Sequence, residues 1–428
     1  MNANHLRPHT KPTVLFVDMN SFFASCEQQD NYWLRGRPVA VCVYTGPRGC
    51  VIAPSIEAKQ RGIKTGMRLD EAMTLCPDLI PMETTPDRYR KYHIKVIEVL
   101  KRFSDDVLPK SIDEAVVDLT RYQLAYKNME EVARQIKQAI RTDVGDYLQC
   151  SIGIAPNVFL AKLASDQQKP NGLTVISPDN IDSVLGKLTL TDLPGIGNRM
   201  AARLRAGGIE TPIQLRYAPP DWLKRVCKSI IGWHWHLRLN FGGEVDLVTQ
   251  PYKQMQAIRS VSNEQRQSVE TLDTILRTLC LTLERRMVRR NLFCRRLQGW
   301  VRYWNGYGYE DEVGFNVPMQ DGIELYQIIC QRMEAYRQKH RCPPLFNPEV
   351  RQIGVGVSEF IPAEDVQYTL FEDHRRKDKF RQTLHAINDR FGPKALMRAT
   401  ELRPAQTPKD LIGFGSIKDL HDIDWDAL

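Results

Sequence analysis

The chain has 428 residues, of which 42% are hydrophobic and 26% charged, and its formal net charge is +8. That length exceeds what one hydrophobic core supports, so two to four domains are expected, and the composition is that of a globular chain rather than a disordered or fibrous one. A mild excess of base permits a polyanionic partner, while ten cysteines without a CxxC pair or zinc spacing, and the lack of any bilayer-length apolar run, argue against a zinc site, a disulfide scaffold and a membrane protein.

Residues 1–12 read as a frayed leader, and MNANHLRPHTKP has no apolar core of a signal peptide, so a cytoplasmic protein is expected. Residues 13–17 read as a buried strand that runs into Asp18, followed by a helix over residues 21–29 that Asn20 or Ser21 is placed to cap. Strands are expected over 38–44 and 50–53, and helices over 55–60 (stopped by Gly62) and 69–75. An amphipathic helix over 87–103 leads into KSIDEAVVDLT, residues 110–120, where Asp113 and Glu114 interrupt an apolar, β-like run. Then come a helix over 129–142, a strand over 149–155, a helix over 157–168 stopped by Lys169-Pro170-Asn171-Gly172, and a strand over 173–176. This alternation predicts an α/β or α+β sheet domain.

After Pro178 the pattern becomes helical to residue 239, with Gly/Pro punctuation and a linker at Phe241-Gly242-Gly243. From about residue 252 to 360 the order is strand, helix (271–290), strands (293–304 and 307–316), helix (322–339), strand (351–357), the β-α-β-β-α-β order of a ferredoxin-like domain. Residues 361–428 read as a charged tail with one helical piece over 376–391.

Chemistry concentrates in a few stretches. Asp18 ends one apolar strand, and Asp113 and Glu114 lie on another; unpaired buried acids are costly, so a positive partner is required. Three carboxylates at strand ends suit hard cations with oxygen ligands, such as a pair of Mg²⁺ ions. In a flat strand Asp113 and Glu114 point to opposite faces, so a turn or bulge is expected there. Asp118 reads as a strand-end residue only. Phe22 and Phe23 follow the Asp18 loop and by default pack in the core. Lys59, Lys162 and Lys169 flank helix ends or turns, which suits phosphate contact, although each taken singly is an ordinary surface lysine. TDLPGIGNRMAARLRA, residues 191–206, joins a Gly195/Gly197 turn to a basic helix with Arg199 and Arg203, the pattern of helix–hairpin–helix contact with a DNA backbone or of a simple tight turn. Arg285, Arg286, Arg289, Arg290, Arg295 and Arg296 stand against one acid, Glu284, and form a candidate phosphate-binding stripe, or a solvated face. Gln367-Tyr368-Thr369-Leu370-Phe371 puts large apolar residues in a polar tail and invites a partner's pocket.

Together these residues resemble the Y-family translesion DNA polymerases, in a match that runs from about residue 13 to 371. VDMNSFFASCE and SIDEAVVDLT look like its first two palm motifs, CSIGIAPNVFLAKLASDQQKPNG like the third, and LPGIGNRMAARL like its thumb. The overall plan resembles the DinB type, DNA polymerase IV; GCVIAPSIEAKQRGIKTGM looks closer to the UmuC type. The resemblance implies an α+β right hand: palm (12–20 and 85–177), fingers (21–84), helical thumb with helix–hairpin–helix (178–243), ferredoxin-like little finger (250–360) and a tail with a clamp-binding motif (361–428). It implies template-directed, low-fidelity nucleotidyl transfer in translesion synthesis and DNA damage tolerance. The partners implied are primer–template DNA, a dNTP and two Mg²⁺ ions, with the protein acting as a monomer.

By position, Asp18 and Asp113 would bridge the metals, Glu114 would serve the metal near the primer hydroxyl, and the Met19 carbonyl would complete a shell. Phe23 falls on the sugar steric gate with Phe22 beside it. Lys169 and Lys59 fall on triphosphate contacts, although many members have arginine at Lys59 and tyrosine at Ile56. Asn20 stands where many have a second aspartate that is not a metal ligand. Gln367, Leu370 and Phe371 fall on the sliding-clamp motif. Small fingers residues Gly49, Ala53, Ser55 and Ala58 suggest an open pocket. The competing classes are a non-catalytic adaptor that recruits mutagenesis partners and a metal-dependent nuclease.

Overall fold

VLFVDM forms β1 (Val14–Met19), and all six of its residues are buried, as the central strand of a sheet covered on both faces requires. The computed structural model describes residues 10–46, 49–243, 253–367, 374–392 and 395–398, and these form two compact units, one over residues 10–243 and one over 253–398. Residues 1–9 of the leader and the Tyr368–Phe371 part of the tail motif lie outside the described residues, as does everything from 399 onward.

In the first unit a three-stranded sheet is inserted after β1: β2 (Val39–Cys42), β3 (Val51–Pro54) and β4 (Ile80–Glu83), ordered β3-β2-β4 with β4 parallel to β2. Strand β4 has no counterpart in the sequence reading, because IPME lacks alternation and contains proline. This sheet encloses its own core of Ala40, Cys42, Val51, Ala58, Ile63 and Leu69.

The main sheet adds β5 (Val107–Pro109), β6 (Glu114–Asp118), β7 (Cys150–Ala155) and β8 (Leu173–Val175) in the order β5-β6-β1-β7-β8, with β1 antiparallel to both neighbours. Side-chain alternation splits β1 between two cores. Leu15, Val17 and Met19 pack with Tyr89, Val96 and Ile97 of the helix Pro86–Lys101 and with Val132 and Ile136 of the helix Met129–Ala139. Val14 and Phe16 pack on the other face with Leu160, Ala161 and Ala164 of the helix Val158–Gln167, and that core continues into the helical stretch through Leu204, Leu215 and Trp235. Gly153 makes the second face possible. A Cβ there would lie 2.0 Å from the Ala161 carbonyl oxygen, so only glycine lets the helix Val158–Gln167 settle this close to the sheet.

The run 110–120 is not one strand. Residues 110–113 form the turn of the β5–β6 hairpin, closed by the Lys110 amide donating to the Glu114 carbonyl at 2.8 Å. Asp113 therefore stands in the turn and Glu114 opens β6. The Ser111 hydroxyl donates to the Asp113 carboxylate, a short-range polar closure of the kind that favours turns.

In the second unit β9 (Gln254–Ser260), β10 (Leu292–Tyr303), β11 (Gly308–Met319) and β12 (Val350–Pro362) make an antiparallel sheet ordered β11-β10-β12-β9. The helices Val269–Arg289 and Gly322–His340 share its core, giving the β-α-β-β-α-β order expected. The helical piece of the tail, His374–Phe391, packs against this unit. Its buried Arg381 donates to Asp321 at 2.9 Å. Glu284, 1% exposed, receives Arg398 at 2.8 Å, His385 at 2.9 Å and the Gly322 amide at 2.6 Å.

Candidate active site

Asp18 continues the Val14–Phe16 face of β1, and the antiparallel register sets it directly across from Glu114. Like charges facing each other across a sheet repel. The repulsion is met by Lys162, whose Nζ lies 2.6 Å from Asp18 Oδ2 and 2.8 Å from Glu114 Oε1. Lys162 sits mid-helix rather than at a helix end, and Gly153 is what brings that helix within reach. Lys169, from the turn after the same helix, adds a second ammonium 2.8 Å from Asp18 Oδ2. Asp166 binds both lysines, at 3.3 Å to Lys162 and 2.8 Å to Lys169.

Asp113 joins this group through the backbone: the Met19 amide donates to the Asp113 carbonyl at 2.8 Å, locking the hairpin turn to the end of β1. Burial raises the Asp113 pKa, the Ser111 hydrogen bond opposes the rise, and the Asp18 charge adds to it. Burial likewise raises Glu114, against the pull of Lys162. Burial lowers the Lys162 pKa, but Asp18 and Glu114 outweigh it and the ammonium is held above its usual range; Lys169 is raised in the same way, chiefly by Asp18. The acids thus have the cationic partners that the sequence demanded.

The donor chemistry fits a hard divalent cation: three clustered carboxylates, two of them with raised pKa, hold positive charge already. Among the described residues no three His, Cys, Asp or Glu side chains are arranged to hold a metal ion as they stand, and Asp18 and Glu114 are engaged by lysine. Cation binding would draw these carboxylates from ammonium to metal.

Phe22 and Phe23 begin the helix Phe22–Asp30, and both are buried. Phe23 stacks on Tyr89 with centroids 4.3 Å apart and planes 12° from parallel. Tyr89 is fixed in turn by donating to the buried carboxylate of Glu27 at 2.8 Å. Ser21 occupies the N-cap position, but in a left-handed conformation its hydroxyl makes no cap, and Asn20 is engaged elsewhere. The expected side-chain cap is therefore absent.

Lys59 lies on the helix Ile56–Gln60, which Ser55 caps by accepting the Ala58 amide at 3.2 Å. Its side chain is largely open, yet the atoms around its ammonium desolvate it and lower its pKa, and repulsion from Lys169 adds to this. Lys59 thus faces the same cleft as Lys169. Of the small residues beside it, Ala53 is half-buried. Gly49, Ser55 and Ala58 are buried, and a Cβ on Gly49 would lie 2.2 Å from the Tyr44 carbonyl oxygen, so their size serves packing within this small sheet.

Gly195, Gly197 and Arg199 are exposed where the helix Asn198–Ala206 starts; Gly195 has φ +83°, and space is open where a Gly197 Cβ would point. The arginine stripe is not a row of free cations. Arg285 and Arg289 pair with Asp389 of the docked tail helix, and Arg296 pairs with Glu312 and Glu359. Arg286 donates to the Gln256 carbonyl and Arg290 to the Arg286 carbonyl, while Arg295 is exposed. The six-to-one count missed acids that only the tertiary fold supplies. Gln367 is exposed; Leu370 and Phe371 lie outside the described residues.

Sequence reasoning missed the bridging part of Lys162 and missed Asp166 altogether. Their spacing was a usable signal: an acid four residues after one lysine on a helix and three before another in the turn that follows it.

A family model described as the impB/mucB/samB family matches residues 17–166, and one described as its C-terminal domain matches residues 252–370. The chain is 30% identical to a DNA polymerase IV of Pelotomaculum thermopropionicum, over 92% of this chain and 96% of the relative. It is 31% identical to a DNA polymerase IV of Bacillus anthracis, over 92% and 95%. Among solved structures, a Y-family DNA polymerase chimera of Dbh and Dpo4 superposes with a TM-score of 0.69 at 25% identity, covering 82% of this chain and 99% of that one. An insertion ternary complex of Dbh DNA polymerase gives 0.54 at the same identity and coverage.

Proposed function

The chain belongs to the impB/mucB/samB family, the Y-family DNA polymerases of the DNA polymerase IV type, and on that premise we propose how its cleft carries out the reaction. The protein is a DNA-directed, translesion DNA polymerase with the right-hand fold of palm, fingers, thumb and little finger, and it binds primer–template DNA and dNTPs. The five-stranded sheet is the palm, the β3-β2-β4 sheet the fingers, the helices up to residue 239 the thumb, and the second unit the little finger.

In our reading Asp18, Asp113 and Glu114, with the Met19 carbonyl, would hold two Mg²⁺ ions. Ions held there would supply positive charge to the primer hydroxyl and to the leaving pyrophosphate. The chain's own residues do the rest. Lys169 and Lys59 bind the triphosphate and set its α-phosphate in line with the primer end. Phe23, immobilised against Tyr89, stands under the sugar and excludes a 2′-hydroxyl, with Phe22 supporting it. Gly195, Gly197 and Arg199 carry the duplex backbone at a helix N-terminus. Within the arginine array, exposed Arg295 is the strongest backbone contact. Gln367, Leu370 and Phe371 dock on a sliding clamp, and the enzyme works as a monomer.

The observation that carries this reading is the meeting of Asp18 and Glu114 across one strand pair, with Asp113 locked beside them and two lysines over them. The test is primer extension with Mg²⁺ by Asp113→Ala and Glu114→Ala proteins: extension falls by about 10²–10³-fold or more if the reading is right, and undiminished extension overturns it. An adaptor is not favoured, since the cleft keeps every group the transfer needs.

A further inference from the structure

The turn that carries Lys169 has few apolar contacts of its own, yet its backbone is held at four points by side chains from three separate elements. The Asn171 amide donates to Asn20 Oδ1 at 2.7 Å, and the Gly172 amide donates to Ser151 Oγ at 3.2 Å. Asn20 and Ser151 also bond to each other, with Asn20 Nδ2 donating to Ser151 Oγ at 3.0 Å. From the opposite side Lys137 Nζ donates to the Asn171 carbonyl at 2.6 Å and to the Gly172 carbonyl at 3.1 Å. Ser151 is fully buried and Asn20 is 5% exposed. The turn needs this support. Asn171 has φ +57°, a left-handed conformation that costs an L-residue energy, and a Cβ on Gly172 would lie 1.7 Å from the Gln168 carbonyl oxygen.

We infer that Asn20, Ser151 and Lys137 are positioning residues that clamp the Lys169-Pro170-Asn171-Gly172 turn and so fix Lys169 for the incoming triphosphate. The inference rests on the reading of Lys169 given above. None of the three needs to touch substrate. Asn20 leaves the end of β1 next to Asp18, Ser151 comes from β7, and Lys137 comes from the helix Met129–Ala139, so the clamp ties the phosphate-binding turn to the same sheet that bears the carboxylates. The amide of Asn20 is suited to this work because it accepts from the turn and donates to Ser151 at once. A lysine on an unclamped turn samples many positions, and misplacement by about 1 Å can cost up to roughly 10²-fold in turnover at limiting substrate.

The test is single-nucleotide insertion by the full chain with Mg²⁺, reading kcat and KM for dNTP separately. Asn20→Ala, Ser151→Ala and Lys137→Met should each raise KM, with Asn20→Ala about ten- to a hundredfold, while kcat changes little. Asn20→Asp, which keeps the acceptor for the Asn171 amide, should restore KM. Asn20→Ala added to Lys169→Ala should raise KM no further than Lys169→Ala alone, because the clamp acts through that lysine. If Lys169→Ala raises KM and none of the three clamp variants does, or if the double mutant is additive, the clamp is wrong. If Lys169→Ala itself leaves KM unchanged, it is the reading of Lys169 that falls. Should Asn20→Ala not fold, Lys137→Met, on the outer side of the turn, decides the question alone.

Discussion

Two clusters of acids and bases, one in each unit, use the same side chains in opposite ways. In the palm cleft, Asp18 is 6% exposed and holds two ammonium groups, while Asp113 and Glu114 beside it have pKa values raised first by burial. In the little finger, Arg285 and Arg289 meet Asp389, and Arg296 meets Glu312 and Glu359, on side chains that keep contact with water. Exposed pairs gain little, about 0–1 kcal/mol each, and cost little to keep. A buried cluster of like charges must be desolvated at a cost of several kcal/mol per ion, so it persists where the charge is used. Glu284 shows a third case. It is as buried as Asp18, but Arg398, His385 and the Gly322 amide satisfy it completely, and its task is to fasten the tail helix to the domain.

The contrast can be broken at each cluster. Asp113→Ala or Glu114→Ala should cut primer extension by about 10²–10³-fold or more, as loss of a preorganised electrostatic contact does, with the melting temperature unchanged or raised. Activity lost only in step with stability would make the cleft a structural cluster like the others. Glu284→Ala removes the buried carboxylate that Arg398, His385 and the Gly322 amide share and should destabilise the little finger by roughly 3–5 kcal/mol in chemical denaturation, while single-nucleotide insertion on a saturating template persists. A loss of only a few tenths would place Glu284 with the surface pairs. Phe23→Ala should relax discrimination against ribonucleotides by about 10²-fold, measured as the ratio of kcat/KM for dNTP and rNTP; unchanged rejection would leave the ring as core packing against Tyr89. The smallest effect is expected at Asp389→Ala: below about 1 kcal/mol in stability, with binding to duplex DNA unchanged or tightened as Arg285 and Arg289 are released. Weakened DNA binding would show that the tail helix presents the arginines rather than neutralising them.

Much of this was legible in the chain. Asp18, Asp113 and Glu114 stood out because carboxylates in apolar strands require a cation. The ferredoxin-like order of the little finger followed from hydrophobic periodicity, and the KPNG turn from its Gly/Pro chemistry. The acids that pair with the arginine array were missed for the same reason that Lys162 and Asp166 were underrated. Local counting sees Glu284 among six arginines and cannot see Asp389, Glu312 and Glu359, which lie far along the chain. Glu284 itself, counted as the stripe's one acid, turned inward to Arg398 and His385.

The stretch 110–120 draws the line between the two levels. Composition alone determined that Asp113 and Glu114 cannot both sit in a plain buried strand, because alternation would send one of them into an apolar core without a partner. Only the tertiary structure decided how they escape. The hairpin turns at Ser111–Asp113, the Met19 amide ties that turn to β1, and the close approach over Gly153 brings Lys162 across to Asp18 and Glu114. Periodicity is a property of neighbours in sequence; which charges neutralise one another is a property of neighbours in space.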